Sequence, residues 1–332
     1  ALRAGVPGER IVFSGVGKTR AEMEAALAAR ILCFNVESEP ELEALSSVAA
    51  EMGVVAPVSI RVNPDVDART HAKISTGKFD NKFGIPISRA RNVYAHARAL
   101  PGIETVGVDM HIGSQITDLA PFDNATALLA DLARDLMGAG HALHHMDLGG
   151  GLGIPYKEDD EPPPRPEVFA EVVKKHTSGL GLKLLFEIGR MIAGNAGILV
   201  TQVVYVKHGE GKTFVIVDAA MNDLIRPTLY EAHHDIKPVL LPHNGARSKV
   251  DIVGPVCETG DYLALDRHMP HVEAGDLLAI MTAGAYGAVQ AGTYNTRRLV
   301  PEVMVRDTDH AVIRRRPSFD ELIDLDRLPA WL

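Results

Sequence analysis

Residues 145–153 read His-Met-Asp-Leu-Gly-Gly-Gly-Leu-Gly, with glycine at four of the last five positions. Such a run lets backbone N–H groups converge on an anion with no Cβ in the way. The same run also serves as a tight strand-to-helix connection that needs glycine for its dihedrals. Two more polar clusters follow apolar stretches: His111-Ile-Gly-Ser114-Gln after residues 106–110, and Glu187-Ile188-Gly189-Arg190 after 184–186. One histidine at a strand end is more often structural than functional. Three clusters at successive strand ends point to a site, because barrel enzymes keep their chemistry there. Further on, Gly254-Pro-Val-Cys257-Glu258-Thr-Gly-Asp261 offers a thiol and two carboxylates. A free cysteine is usually a small buried hydrophobe, and the acidic neighbours argue against full burial. Thr282-Ala-Gly-Ala-Tyr286-Gly sets a tyrosine among small residues.

These groups need elements to position them. Six strand-then-helix units run through the first 195 residues, with strands at 11–16, 31–36, 58–63, 104–110, 144–148 and 183–188. Capping boxes open two of the helices, Thr19-Arg-Ala-Glu22 and Ser38-Glu-Pro-Glu41, and Gly53 ends the second. Alternation of this kind predicts a parallel sheet with right-handed crossovers. Six units are two short of a (β/α)8 barrel. The chain starts at alanine, and residues 1–5 read as the last turn of a helix stopped by Gly5. The expectation is a barrel whose first units are missing.

After Asn195 the pattern turns to strands: 198–206 and 213–218 around a His208-Gly-Glu-Gly-Lys turn, then 249–253, 261–265, 276–281 and 302–306. Asp307-Thr-Asp marks another hairpin, and residues 320–328 a short closing helix. The expected fold is thus α/β, with a barrel over residues 1–195 and an all-β domain over 196–332. The acidic, proline-rich stretch 158–166 is expected as a surface loop within the barrel half.

Composition narrows the class. The chain has 332 residues, 46% hydrophobic and 23% charged, as in ordinary globular proteins. A net charge of −9 argues against nucleic-acid binding, which needs a basic surface. No apolar run approaches the ~18 residues of a membrane span, and no signal-peptide layout is present. With only Cys33 and Cys257, far apart, a reducing cytoplasm is the expected setting.

Seven strings, in order and over essentially the whole chain, resemble the diaminopimelate decarboxylase family: FSGVGKT (13–19), NVES (35–38), ISTGKFDNKFG (74–84), HIGSQ (111–115), DLGGGLG (147–153), CETGD (257–261) and AGAYGAVQAGTYNTR (283–297). That family belongs to the fold-type III pyridoxal-phosphate enzymes, with alanine racemase. The resemblance implies decarboxylation of meso-2,6-diaminopimelate to L-lysine, the last step of lysine biosynthesis. It implies that Gly150, Gly151 and the turn Glu187, Ile188, Gly189, Arg190 cradle the pyridoxal 5′-phosphate phosphate group, with Ser114 adding a hydroxyl. It further implies that His111 stacks on the pyridine ring and that Glu187 holds the ring nitrogen protonated. Arg190, Arg226 and Tyr230 would bind substrate carboxylates, Glu258 a substrate amino group, and Tyr286 both cofactor and substrate. Cys257 would be the proton donor. In the family Cys257 and Glu258 serve the partner subunit's site, so a homodimer with shared active sites is implied.

Two departures stand out. Ile188 occupies a position where the family usually has proline, which alters the turn without removing Glu187 or Arg190. The lysine that bonds the cofactor ends the family's first barrel strand, upstream of Ala1, and Lys18 matches a different motif. The expectation for this chain alone is therefore reduced or absent activity. Rival readings are a decarboxylase of another basic amino acid (ornithine, lysine or carboxynorspermidine type) and a non-catalytic homologue. Gly17-Lys18-Thr19 fails as a P-loop because Val12 stands where the first glycine must be. The 149–154 run fails the dinucleotide fingerprint, and His141, His144 and His145 lack the partners of a metal set.

Overall fold

The computed structural model describes residues 1–68, 82–159, 161–240 and 246–332. Contacts divide the chain into two units, residues 1–153 with 163–188, and residues 154–162 with 189–332.

In the first unit, β1 (Val12–Phe13), β2 (Cys33–Val36), β3 (Ala56–Asn63), β4 (Ile85–Pro86), β5 (Ile103–Asp109), β6 (His145–Asp147) and β7 (Lys183–Leu185) form one parallel sheet. The order is β1-β2-β3-β5-β6-β7, with β4 beside β3. Crossover helices are α1 (Arg20–Ala28), α2 (Glu39–Met52), α3 (Ile87–Ala99), α4 (Ala120–Gly138) and α5 (Pro166–Thr177). All six expected strands are present, in a barrel-like sheet; the two-residue β4 is an addition too short to leave a pattern. Strand β3 is buried at all but one position, which is why it reads as a continuous apolar run rather than an alternation. Leu42 and Leu45 of α2, Tyr94 of α3 and Leu129 of α4 are fully buried. A cavity of about 470 Å³ lies beside the end strands, lined by Val12, Leu32, Asp147, Leu185 and Glu187 among others.

The capping expectations divide. Thr19 and Glu22 form a complete reciprocal box. Ser38 accepts from the Glu41 N–H, but the Glu41 carboxylate does not return to the Ser38 backbone. It accepts instead from the Glu37 N–H at 3.1 Å and from Lys18 Nζ at 2.7 Å, because a buried ammonium competes better for it than a backbone donor does. Gly53 ends α2 in the left-handed region, as expected.

The second unit is built on β8 (Leu199–His208), β9 (Thr213–Val217), β10 (Ile236–Pro238), β11 (Arg247–Val253), β12 (Tyr262–Pro270) and β13 (Leu277–Ile280), in the order β10-β13-β8-β9-β11-β12. The pair β9 and β11 is parallel and the others are antiparallel. Strand β8 buries Thr201 and Val203 and exposes Gln202 and Val204, the alternation of a sheet with one wet face. Val203, Val217, Ile252, Leu263 and Ile280 fill its core. Helices α6 (Gly189–Ala193), α7 (Arg226–Tyr230) and α8 (Phe319–Ile323) are single turns. A separate hairpin, β14 (Glu302–Arg306) and β15 (Asp309–Arg314), turns at Asp307 with φ 53°. Strand β10 was not foreseen; its one aliphatic residue, Ile236, stands between charged Asp235 and Lys237 and marks no apolar run.

Residues 158–162, expected as a loop of the barrel half, group instead with the β unit. The Glu158 N–H donates to Asp235 at 2.8 Å, and Lys237 pairs with the Glu158 carboxylate at 2.6 Å. Ile154 packs where a Cβ on Gly194 would otherwise stand.

Candidate active site

In the first unit the sheet delivers three carboxyl groups to one end: Asp109 closes β5, Asp147 closes β6, and Glu187 follows β7. The glycine loop sits directly after Asp147 and is held from both sides. The Gly149 N–H donates to Asp147 at 3.0 Å, and the Glu187 N–H donates to the Gly149 carbonyl at 2.7 Å. Side chains are excluded here. A Cβ on Gly150 would overlap the Glu187 carbonyl oxygen, and one on Gly151 (φ 109°) would overlap the Gly113 carbonyl oxygen. The loop is thus a bare-backbone cradle packed against the 111–116 segment and against Glu187 and Ile188, which fits a phosphate group held by backbone N–H donors.

His111 faces the same loop. Its Nδ1 accepts the Gly150 N–H at 3.0 Å, so the ring proton stays on Nε2. Burial lowers its pKa to about 4, and the nearby Arg61 acts in the same direction. The ring is therefore neutral and fixed in orientation. Arg61 donates to the His111 carbonyl and is itself held by Glu37 in a buried pair at 2.6 Å.

Glu187 is exposed and accepts from the Ser14 hydroxyl at 2.9 Å. Asn35 donates to Ser14 at 3.1 Å and to Asp147 at 3.3 Å, tying both carboxylates into one network. Burial, and then the charge of Glu187, pushes Asp147 up to about 6. Asp109 rises well above the carboxylate range, first through burial. The first unit thus presents one solvent-facing carboxylate backed by partly neutralised ones, and a neutral imidazole beside a glycine cradle.

The second unit gathers the cations. Arg190, on α6, donates to the Tyr156 hydroxyl, and its guanidinium carbon lies 4.7 Å from the Tyr286 ring centre. Arg226, on α7, lies 4.3 Å from the Tyr156 ring centre and donates to His234 Nε2 at 2.7 Å. Both guanidiniums are buried, and no carboxylate of the described residues lies within ion-pair distance of Arg226. Tyr230 sits one turn along α7 from Arg226 and receives a bond from Gln290 at 3.4 Å. Tyr286 adopts φ 57°, a strained conformation for an aromatic residue of the kind that collects at functional sites.

The 254–261 loop carries Cys257 and Glu258 exposed to solvent. Asp261 is buried and takes no part in such exposure. It accepts from the N–H groups of Met221 and Val256, both at 2.6 Å, and so staples the loop. Thr228 of α7 ties the loop to the helix through the Gly260 carbonyl at 2.6 Å.

Lys18 is a structural lysine: its ammonium is buried among the carbonyls of Gly15 and Asn35 and the Glu41 carboxylate. His141 packs edge-on to Tyr94, and His145 bonds Ser59 at 2.8 Å. No metal cluster forms among the described residues. Of the string 74–84, residues 74–81 lie outside the described residues. Sequence reasoning missed Ser14, Asn35, Asp109, Asp147, Tyr156 and His234. Only the two aspartates left a signal, a carboxylate ending an otherwise apolar strand.

A glycine cradle, a neutral imidazole and an exposed carboxylate on a barrel-like sheet, with a β unit following, fit the class of pyridoxal-dependent amino-acid decarboxylases. Residues 1–194 match the sequence profile described as "Pyridoxal-dependent decarboxylase, pyridoxal binding domain". The chain belongs to the diaminopimelate decarboxylase family. It is 50% identical over 332 residues to the diaminopimelate decarboxylase of Zymomonas mobilis, covering 100% of this chain and 78% of that protein. It is 53% identical over 321 residues to that of Pseudomonas aeruginosa, covering 97% of this chain and 76% of that protein. The crystal structure of the Helicobacter pylori diaminopimelate decarboxylase complexed with L-lysine is similar at a TM-score of 0.93 and 42% identity, covering 98% of this chain and 80% of that one. No helix of the described residues is long and apolar enough to cross a membrane.

Proposed function

We infer that the chain is a pyridoxal-phosphate-dependent carboxy-lyase that converts meso-2,6-diaminopimelate to L-lysine and CO2. The observation that carries the substrate is Arg226, a buried guanidinium with no carboxylate partner among the described residues. A buried cation is costly unless an anion joins it. A substrate with a second carboxylate supplies that anion; ornithine does not.

When bound, pyridoxal phosphate supplies an electron sink for the pair released as CO2 leaves. The chain's residues do the rest. Gly150, Gly151 and the turn Glu187, Ile188, Gly189, Arg190 bind the phosphate, with Ser114 beside them. The Gly150 N–H already serves His111, so Gly151 and the turn carry more of that load. Neutral His111 lies against the ring face without adding charge. Glu187, steadied by Ser14, holds a proton at the ring nitrogen. Arg190, Arg226 and Tyr230 orient substrate carboxylates, Glu258 a substrate ammonium, and Tyr286 touches both molecules. Cys257, exposed to solvent, returns a proton to the α-carbon. A boundary between the halves 1–195 and 196–332 is supported by the profile ending at residue 194, whereas contacts put Arg190 and Tyr156 with the β half.

The test is a substrate panel. Holoenzyme given meso-diaminopimelate releases CO2 and lysine in equal amounts, and ornithine and arginine give neither; faster turnover of ornithine would overturn the assignment. The same reading places the enzyme in the cytoplasm as a homodimer that shares its sites. Both cysteines are free, which suits a reducing compartment. Cys257→Ala and Glu187→Gln variants, each weak alone, regain activity on mixing if Cys257 serves the partner subunit. No recovery after demonstrated subunit exchange removes the shared site.

A further inference from the structure

Tyr156 and His234 have no part in the chemistry described so far, yet they hold the two arginines of the second unit. His234 is fully buried, and its two nitrogens face different groups. Arg226 donates to Nε2 at 2.7 Å, so Nε2 carries no proton. Nδ1 therefore carries it and donates to the Met281 carbonyl at 2.8 Å. A charged imidazolium could not accept from a guanidinium, and burial keeps His234 neutral. Tyr156 stands edge-on to this ring, their centres 5.2 Å apart. Its own face receives Arg226, while its hydroxyl receives Arg190. One aromatic ring thus separates two like charges and attracts both. Tyr156 reaches this place because the 154–159 segment is pinned by Glu158 to Asp235 and Lys237.

We propose that Tyr156 and His234 are positioning residues for carboxylate recognition. They clamp Arg226 through its π-face and one N–H, which leaves its remaining N–H donors for an incoming carboxylate. This rests on the reading of Arg226 as a substrate-binding group. The clamp sets affinity for the second carboxylate, not the rate of the chemical step. A guanidinium already fixed in place loses little freedom on binding, whereas a free one must be ordered by the ligand.

The probe is pimelate, which carries both carboxylates and neither amine, titrated calorimetrically into the holoenzyme. His234→Ala and Tyr156→Leu each raise the pimelate Kd and the diaminopimelate KM about tenfold, with kcat nearly unchanged because binding is lost equally in ground and transition states. Tyr156→Phe keeps the ring and stays near the parent Kd. Imidazole in the buffer restores His234→Ala. In the double variant with Arg226→Ala, His234→Ala costs nothing further, since the residue it serves is gone. A loss in Arg226→Ala without one in His234→Ala, or fully additive losses, overturns the clamp alone. An unchanged Kd in Arg226→Ala overturns the substrate assignment, and the clamp with it.

Discussion

The two units bury the charges of their candidate sites in opposite ways. The first buries acid, Asp109 and Asp147, and solves the problem by raising their pKa values and by backbone donors on a glycine loop. The second buries base, Arg190 and Arg226, groups that cannot shed their protons, and solves it with aromatic faces and a neutral imidazole. The difference follows from what each must receive. A phosphate ester is held by backbone geometry and a fixed dipole, so the first unit needs close approach and no side chains. On the proposed function a substrate carboxylate needs a full positive charge held ready, and Arg226 has no carboxylate partner among the described residues.

Acid should break this contrast most strongly. Burial lowers His111 and His234 from 6.5 to about 4. Their folded forms bind fewer protons than the unfolded chain, so their stabilisation is present above pH 6.5 and is lost as pH falls to 4. Each is worth about 3 kcal/mol. Asp147 works in the reverse sense: raised from 3.8 to about 6, it favours folding at low pH, and that contribution is lost as pH rises through 6. Asp109, also raised, adds to Asp147, and His145, also lowered to about 4, adds to the imidazoles. Three imidazoles outweigh two carboxyls, so thermal melts should show a midpoint falling from pH 6.5 to 4. Asp147→Asn should be relatively more stable at pH 7 than at pH 4. A midpoint flat across this range would contradict the neutral, buried imidazoles.

Kinetics should sharpen the same contrast. Arg226→Ala removes a charge-assisted partner of the substrate and should cost about 2–5 kcal/mol, read as a rise in KM. Glu187→Gln should lower kcat with KM little moved, because a glutamine cannot hold a proton at the ring nitrogen. Equal effects of both variants on kcat would erase the division between a cofactor-holding and a substrate-holding unit.

Gly150→Ala carries the smallest effect. Its Cβ would overlap the Glu187 carbonyl oxygen, and such overpacking costs about 1–3 kcal/mol. The expected signs are a lower melting midpoint and weaker pyridoxal phosphate retention on dialysis. The same change at exposed Gly211, where a Cβ meets nothing, should do neither.

Strands β3, β5 and β8 lie where hydrophobicity places them, whereas β12 runs on to Pro270, past the expected 261–265. Strands β4 and β10, each with a single aliphatic residue, left no apolar run to read. The Ser38 box failed for a different reason. Glu41 has the right spacing, but Lys18, far away in sequence, competes for its carboxylate. The motifs His111, the glycine loop and Glu187 were readable because each is a local string at a strand end. Their mutual support was not: Ser14, Asn35 and Asp147 come from three separate strands or loops, and their network forms only in the folded sheet.

The sequence by itself determined the alternation of strand and helix, the bare loop at 149–151 and the family to which the strings belong, since each depends on near neighbours along the chain. Only the tertiary structure decided the protonation of the buried groups and the company that Arg226 keeps. Residues 156, 226, 234 and 281 share no local pattern. Burial, which sets the charge of His234 and leaves Arg226 to seek an anion, exists only once the chain has folded around them.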